Sequence, residues 1–279
     1  SWKFLSPESS CLRMVVFNVG QGDAILLPTP DHRHVLIDGG TREGFTTGVR
    51  PYLQANSISE IDLLVLTHPH EDHLGGVVSL LEGDEIRVGT VLASDYGHTT
   101  EVYRTFLNQI KEKGLKFQRA VRGSVFRLGP EDTGLRGLVL HPPPHYLTGT
   151  RGDLNNNSVV LLVEYEKVRI LLPGDLESEG KEELLSAYHG SLRSHILKVA
   201  HHGSKGAIHQ RWLQRVGPEI AVISVGSGNY FGHPSPEVVM GLRESGARVY
   251  RTDQDGEVIF EIKTGRRWEA KVVVKRGNP

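Results

Sequence analysis

No apolar run in this chain of 279 residues is longer than five, Val159 to Val163. A helix that spans a bilayer needs about 20, so no membrane-crossing segment is expected. What the chain offers instead is a succession of short, β-branched apolar segments cut by Gly, Pro and Asn turns, which limits it to a strand-rich fold. Met14 to Val19, Ala24 to Leu27 and His34 to Ile37 read as an antiparallel meander, with turns at Gly20-Gln21-Gly22 and Pro28-Thr29-Pro30. Ile61 to Leu66 reads as a buried strand that hands a loop to its carboxyl end.

Further strands are predicted at Leu135 to Leu140, Ser158 to Tyr165, Val168 to Leu172, His195 to Ala200, Ile220 to Val225, Arg248 to Arg251 and Val258 to Ile262. Between them the spacing predicts helices near Val49 to Gln54, from about His73, over Val102, Phe106 and Ile110 to near Gly114, over Lys181 to Tyr188, over Gln210 to Val216, and after the Ser235-Pro236 cap. Two strand-rich halves interleaved with helices predict an α/β fold, a four-layer αββα sandwich, in which two sheets pack together under outer helices. No linker or repeat divides the chain, so a single domain is expected.

Composition narrows the functional classes. Lys and Arg number 32 against 33 Asp and Glu, so the total charge provides no electrostatic footprint for a polyanion, which would have to be caught locally. Cys11 is the only cysteine, which excludes an intrachain disulfide framework and a four-thiolate zinc site. Ser1 to Ser10 lacks the basic start and apolar middle of a signal peptide, and the chain is expected to be a piece excised from a larger protein.

The strongest chemical signal is His68-Pro69-His70-Glu71-Asp72-His73, with three imidazoles and two carboxylates directly after a buried strand. Alternate residues of extended chain point the same way, so His68 and His70 can grip one ion; Asp72 and His73, where the chain turns into helix, suit a neighbouring ion. A tag or surface tract is the bland alternative, but this string lies between a strand and a Gly-rich helix start.

These residues resemble the metallo-β-lactamase superfamily. The likeness continues through Ile37-Asp38-Gly39-Gly40 upstream, then Pro173-Gly174-Asp175 after the strand Ile170-Leu171-Leu172, and His201-His202-Gly203-Ser204 downstream, in order over most of the chain. Gln21-Gly22-Asp23, the run Asn155-Asn156-Asn157-Ser158 and the segment Asn229 to Pro234 are more narrowly similar to the soluble C-terminal domain of the ComEC family, membrane channel proteins of natural DNA uptake. The resemblance implies that His68 and His70 hold a first metal, Asp72 and His73 a second, that Asp175 bridges both, and that His201 completes the second site. His202, adjacent, stays open as ligand or support. Asp38 is expected to orient a ligand imidazole, although a lone Asp-Gly is otherwise a turn. Asp72, Asp38 and His233 are the candidate catalytic side chains; His233, beside Pro, is equally a turn residue.

Many members of the superfamily place a further His where this chain has Asn155 to Asn157. Either Asn155 is a ligand, in which case its harder amide oxygen shifts preference from Zn2+ toward Mn2+, or the run only makes a turn and leaves the first site open to water. Ser204 and Lys205, in a Gly-flanked loop, are candidates to contact a phosphate.

The implied cofactors are two divalent ions, which would bring a bridging water toward neutral pKa for attack on phosphorus. The implied activity is a metal-dependent nuclease that degrades the non-transported strand of DNA during natural transformation. Its implied partners are DNA, the channel portion of the same protein and other uptake proteins, at the extracytoplasmic face of the bacterial membrane; alone, the domain is expected to be monomeric. Arg119, Arg122, Arg127, Arg266, Arg267, Lys271, Lys275 and Arg276 are candidate phosphate contacts, or solvated strand faces. Two other functions remain open, a small-molecule phosphodiesterase or esterase, and a weakly catalytic domain that binds DNA or gates a channel.

Overall fold

The computed structural model describes residues 11–129, 134–264 and 268–275. Its strands are β1 (Cys11–Val16), β2 (Ile25–Pro28), β3 (His34–Ile37), β4 (Glu60–Leu66), β5 (Arg87–Ala93), β6 (Lys116–Arg119), β7 (Val125–Leu128), β8 (Leu135–His141), β9 (Val160–Tyr165), β10 (Val168–Leu172), β11 (Ile196–Lys198), β12 (Ile220–Ile223), β13 (Arg248–Arg251), β14 (Glu257–Lys263) and β15 (Glu269–Lys275). They form one sheet in the order β15-β14-β1-β2-β3-β4-β5-β6 and a second in the order β13-β12-β11-β10-β9-β8-β7. The expected meander is present, with β1 to β3 antiparallel, after which β3, β4, β5 and β6 run parallel.

Alternation along each central strand explains the layering. Leu63 and Val65 of β4 face the core between the sheets, while Leu64 and Leu66 face the helices outside. In the other sheet Leu161 and Val163 of β9 face inward and Val160 and Leu162 face out. Three apolar layers, one between the sheets and one under each set of helices, therefore make four layers of backbone. Each buried Leu, Ile or Val side chain contributes about 1.5–3 kcal/mol. The αββα sandwich expected from the sequence is the fold.

Several elements depart from the sequence expectations. Strands β5, β6, β7 and β15 were not anticipated. β6 is exposed along its whole length and carries no apolar alternation, because it is an edge strand. The helix expected near Val49 to Gln54 is the α-helix Arg50–Ala55, and ahead of it stand a short helical turn, Arg42–Gly44, and a π-helical turn, Phe45–Val49. The helix expected from about His73 starts at Glu71, so its first turn carries Glu71 and Asp72 where the helix dipole favours negative charge. Among the described residues no helix is long and apolar enough to cross a membrane.

Candidate metal centre

The parallel strands β3 and β4 of one sheet and β10, β11 and β12 of the other end at a common edge, and the loops after them meet there. A backbone bond joins the two edges, Val159 N donating to Thr67 O at 2.8 Å, and within the second sheet His201 N donates to Gly174 O at 3.2 Å. Ligand sites outside the carboxyl ends of strands are a general outcome of such sheets.

The first pillar is the turn after β3. Asp38 adopts a left-handed backbone, φ 56°, which Asp tolerates better than most residues. Its carboxylate is buried and accepts from Thr67 N at 2.7 Å and Thr67 Oγ1 at 2.6 Å, and Oδ2 lies 2.7 Å from His73 Nδ1. Gly39 and Gly76 let the helix Glu71–Glu82 close onto this turn, since a Cβ on Gly76 would stand 1.9 Å from Gly39 O. With Nδ1 tied to Asp38, His73 presents Nε2 to the centre, 3.3 Å from Asp175 Oδ2 and 3.9 Å from Asp72 Oδ2.

The second pillar is the loop after β11. His201 and His202 both take left-handed φ, 46° and 51°, and Gly203 follows at 79°. Consecutive left-handed residues turn the chain so that the two rings diverge. His202 is buried, its Nδ1 donates to Ser224 O at 2.9 Å, and its Nε2 lies 3.2 Å from Asp72 Oδ2 and 3.5 Å from Asp175 Oδ2. His201 stands at the rim with Nδ1 3.3 Å from Glu177 Oε1, and its Nε2 is 3.9 Å from Asp175 Oδ2. His68 and His70 complete the group: His68 Nε2 is 3.0 Å from His70 Nδ1 and 3.8 Å from Asp175 Oδ2.

One ligand atom from each of Asp72, His73, Asp175 and His202 lies within 4.8 Å of the others, and Asp23, Asp38 and His73 form a second such group. Several of these atoms are orphans. His73 Nε2, His202 Nε2, Asp175 Oδ1, Asp23 Oδ1 and Asn155 Oδ1 are buried with no hydrogen-bond partner. Buried polar atoms are normally paired, so the orphaned Nε2 atoms of His73 and His202, which share one group of ligand atoms with Asp72 and Asp175, fit a bound cation.

The electrostatics agree. Asp23, Asp38, Asp72 and Asp175 gather here, and the buried ammonium of Lys198 pairs with Asp23 and lies 3.8 Å from Asp175 Oδ1. Carboxylates thus outnumber the ammonium that pairs with them, and at a largely buried site that negative charge calls for further cations. Burial alone would keep His73 and His202 neutral, but the carboxylates overcome it: Asp175, Asp72 and Asp38 lift His73 well above the imidazole range, and Asp175 with Asp72 and Asp23 lifts His202 to about 9. Protons on these rings thus supply positive charge that divalent ions would replace. His68, by contrast, is held neutral by burial and by the neighbouring His73.

The remaining candidates fall into place by residue. His201, preferred from sequence as a ligand, is the more peripheral of the adjacent imidazoles, and the geometry favours His202. The Asn run divides its work: Asn156 Oδ1 accepts from Gly180 N at 2.8 Å, Asn157 Nδ2 donates to Leu147 O at 2.8 Å, and Asn155 Nδ2 donates to Glu177 Oε1 at 2.8 Å. Ser204 and Lys205 line a cavity of about 480 Å3 together with His201 and His233. His233 meets His201 edge to face at 5.7 Å.

Asp23, Lys198 and Glu177 were not anticipated as site residues. Lys198 ends an otherwise apolar strand, a signal that could have been read; Asp23 stood out only as part of the Gln21-Gly22-Asp23 turn, with no role attached to it. Of the five basic residues proposed for phosphate that the structure describes, four are neutralised locally: Arg119 by Asp95 at 2.7 Å, Arg122 by Glu183, Lys271 by Glu261 at 3.5 Å and Lys275 by Glu257 at 3.0 Å. Arg266, Arg267 and Arg276 lie outside the described residues, and for Arg127 no partner bears on the assignment.

Such a sandwich, with imidazoles and acids gathered at one strand edge, defines a class of metal-dependent hydrolases. The chain belongs to the metallo-beta-lactamase superfamily, whose family model matches residues 17–227. It is 32% identical over 265 residues to ComE operon protein 3 of Bacillus subtilis, covering 89% of this chain and 33% of that protein. It is 30% identical over 263 residues to competence protein ComA of Neisseria gonorrhoeae, covering 93% of this chain and 33% of that protein. The chain thus spans about a third of the length of these relatives, and the expected likeness to competence proteins of the ComEC type is found. Among solved structures, a mutant of the CmlA beta-hydroxylase superposes with a TM-score of 0.56 at 12% identity, over 92% of this chain and 55% of that one, which speaks for the fold alone.

Proposed function

We propose that the chain is a phosphodiester hydrolase that cleaves DNA with two divalent metal ions, Mn2+ in preference to Zn2+. The observation that carries this reading is the group of ligand atoms from Asp72, His73, Asp175 and His202 gathered at the strand edge, in which His73 Nε2 and His202 Nε2 are buried without a hydrogen-bond partner. His68 and His70 would hold one ion, Asp72, His73 and His202 the other, and Asp175 would lie between them. When bound, such a pair supplies Lewis acidity for attack by water and for the negative charge that grows on phosphorus.

The chain's own residues do the positioning. Asp38 fixes the His73 ring through Nδ1, the Ser224 carbonyl fixes His202, and Lys198 restrains Asp23 and Asp175 from the protein side. Ser204 and Lys205 lie on the wall of the adjoining cavity, and in this reading they would hold a phosphate oxygen. Asn155, with one amide oxygen unpaired, is a candidate weak ligand of hard character, the basis for preferring Mn2+.

In this reading the chain is a domain of a larger membrane protein that works at the extracytoplasmic face beside a channel, where it removes the strand that is not transported. Tethering there compensates for a surface with little free positive charge. The local pairing of Arg119, Arg122, Lys271 and Lys275 favours a second reading, a small-molecule phosphodiesterase. A nuclease assay with Mn2+, Zn2+, Mg2+ and no metal, using His68→Ala as control, tests the proposal. Metal-dependent DNA cleavage lost in the control is expected; turnover of bis-p-nitrophenyl phosphate with no DNA cleavage under any metal would move the assignment to the second reading.

A further inference from the structure

The segment from Gly226 to Ser235 carries two large aromatic side chains into solvent next to the candidate metal centre. Tyr230 is 101% exposed and Phe231 68% exposed. An aromatic ring left in water forgoes the gain that burial would bring, so neither ring helps to hold the fold together. Yet the loop that bears them is braced. Asn229 Nδ2 donates to Gly226 O at 2.9 Å and to His233 O at 2.6 Å, and Asn229 Oδ1 accepts from His233 N at 3.0 Å. Gly226 N in turn donates to Gln21 Oε1 at 3.2 Å, anchoring the loop to the turn after β1.

Phe231 connects to the metal centre through a file of rings. It stacks on His233 with centroids 5.7 Å apart and planes at 25°; His233 meets His201 at 5.7 Å, and His201 meets His202 at 6.1 Å. Phe231 also forms a wall of the cavity of about 480 Å3 that Ser204, Lys205 and Arg151 line. The acids on the same cavity are already engaged, Glu177 with Asn155 and His201, and Glu179 with Arg151 at 3.0 Å.

Proteins that bind single strands without regard to sequence combine aromatic faces for the bases with cations for the backbone. In a duplex the base faces are covered by their neighbours, so a free ring face selects unpaired bases. We propose that Tyr230 and Phe231 are a stacking platform for the unpaired bases of a single-stranded nucleic acid, with Lys205 on its backbone, so that the strand is presented to the metal centre unpaired. This inference rests on the nuclease reading and adds the form of its substrate.

The test is fluorescence anisotropy of the Mn2+-loaded chain with a labelled phosphorothioate strand of about 12 nucleotides, within the range such sites cover, against an abasic strand of equal length and charge. The native chain is expected to bind the base-bearing strand roughly tenfold or more tighter, as stacking of one or two bases implies. The Tyr230→Ala/Phe231→Ala double variant should lose that preference and Phe231→Trp should keep it. Equal binding of the two strands by the native chain, or a preference that survives the double substitution, would overturn the proposal. If the native chain shows the preference but never cuts an ordinary phosphodiester strand in Mn2+, the platform stands and the nuclease reading falls.

Discussion

Asp38 Oδ2 lies 2.7 Å from His73 Nδ1, and both side chains are buried. This pair sets the direction of His73 Nε2, which makes Asp38 a positioning residue in the centre. Replacing it by Asn keeps the shape but removes the charge that holds the ring. Asp38→Asn should weaken divalent-metal binding by roughly ten- to a hundredfold, as loss of an outer partner typically does. Calorimetric titration with Mn2+ reads this without reference to turnover; an unchanged affinity would remove Asp38 from the machinery.

His201 and His202 should separate cleanly. His202→Ala deletes a ring that faces Asp72 at 3.2 Å and Asp175 at 3.5 Å, whereas His201→Ala deletes one at the rim. Elemental analysis after Mn2+ loading and desalting should find less metal per chain in His202→Ala, with His201→Ala close to the native content. The reverse order would return the ligand role to His201.

Lys198 is a buried ammonium paired with Asp23 and 3.8 Å from Asp175. Lys198→Met fills similar space but leaves Asp23 and Asp175 without their protein counter-charge. Removing one partner of a buried pair costs about 3–5 kcal/mol, so the metal-free variant should unfold at markedly lower urea. Saturating Mn2+ should recover part of the loss, because a ligand that binds only the folded state stabilises it, by about 2.7 kcal/mol at a hundred times its Kd. Equal urea midpoints for native and variant chains would contradict the buried pairing.

Backbone contact at the Gly39-Gly76 crossing makes a mutational prediction for the scaffold. A methyl group on Gly76 would overlap Gly39 O, which is backbone and cannot rotate away. Gly76→Ala should destabilise by about 1–3 kcal/mol, the usual range for overpacking, and should lower metal affinity too, since the helix that moves carries His73. Denaturant melts and metal titration of the same variant check both.

His141 provides a test of pH dependence away from the centre. It is buried, neither ring nitrogen makes a hydrogen bond, the nearest carboxylate, Glu183, stands 3.8 Å from Nε2, and burial, helped by the Arg122 guanidinium, pushes its pKa down to about 3. In the unfolded chain it titrates at about 6.5. Between these values the unfolded chain binds the extra proton, so stability falls as pH drops from about 6.5 toward 3. At pH 5 this group alone costs about 2 kcal/mol relative to pH 7. His141→Leu should flatten the decline in urea-unfolding free energy by about that amount, and an unchanged slope would show that another group is responsible.

The layers were legible because two-residue alternation and helical spacing are local properties: β3, β10 and β13 fall where the apolar pattern puts them. The edge strand β6, exposed on both faces, was not legible, because it owes its pairing to β5 and not to its own residues. The six-residue histidine string announced a metal centre for a similar reason. It carries its chemistry within a single loop.

Which of two adjacent imidazoles turns inward was decided by the left-handed backbone at His201 and His202, and that conformation is imposed by the strands and turns packed around it. Asp23 and Lys198 joined the centre from different sheets, 175 positions apart in the chain, through contacts that form only when the sandwich closes. By itself, then, the sequence determined the alternation of elements and the kinds of ligand available. Direction, partnership and charge balance arose from the tertiary structure, because those depend on distances between segments that no local pattern encodes.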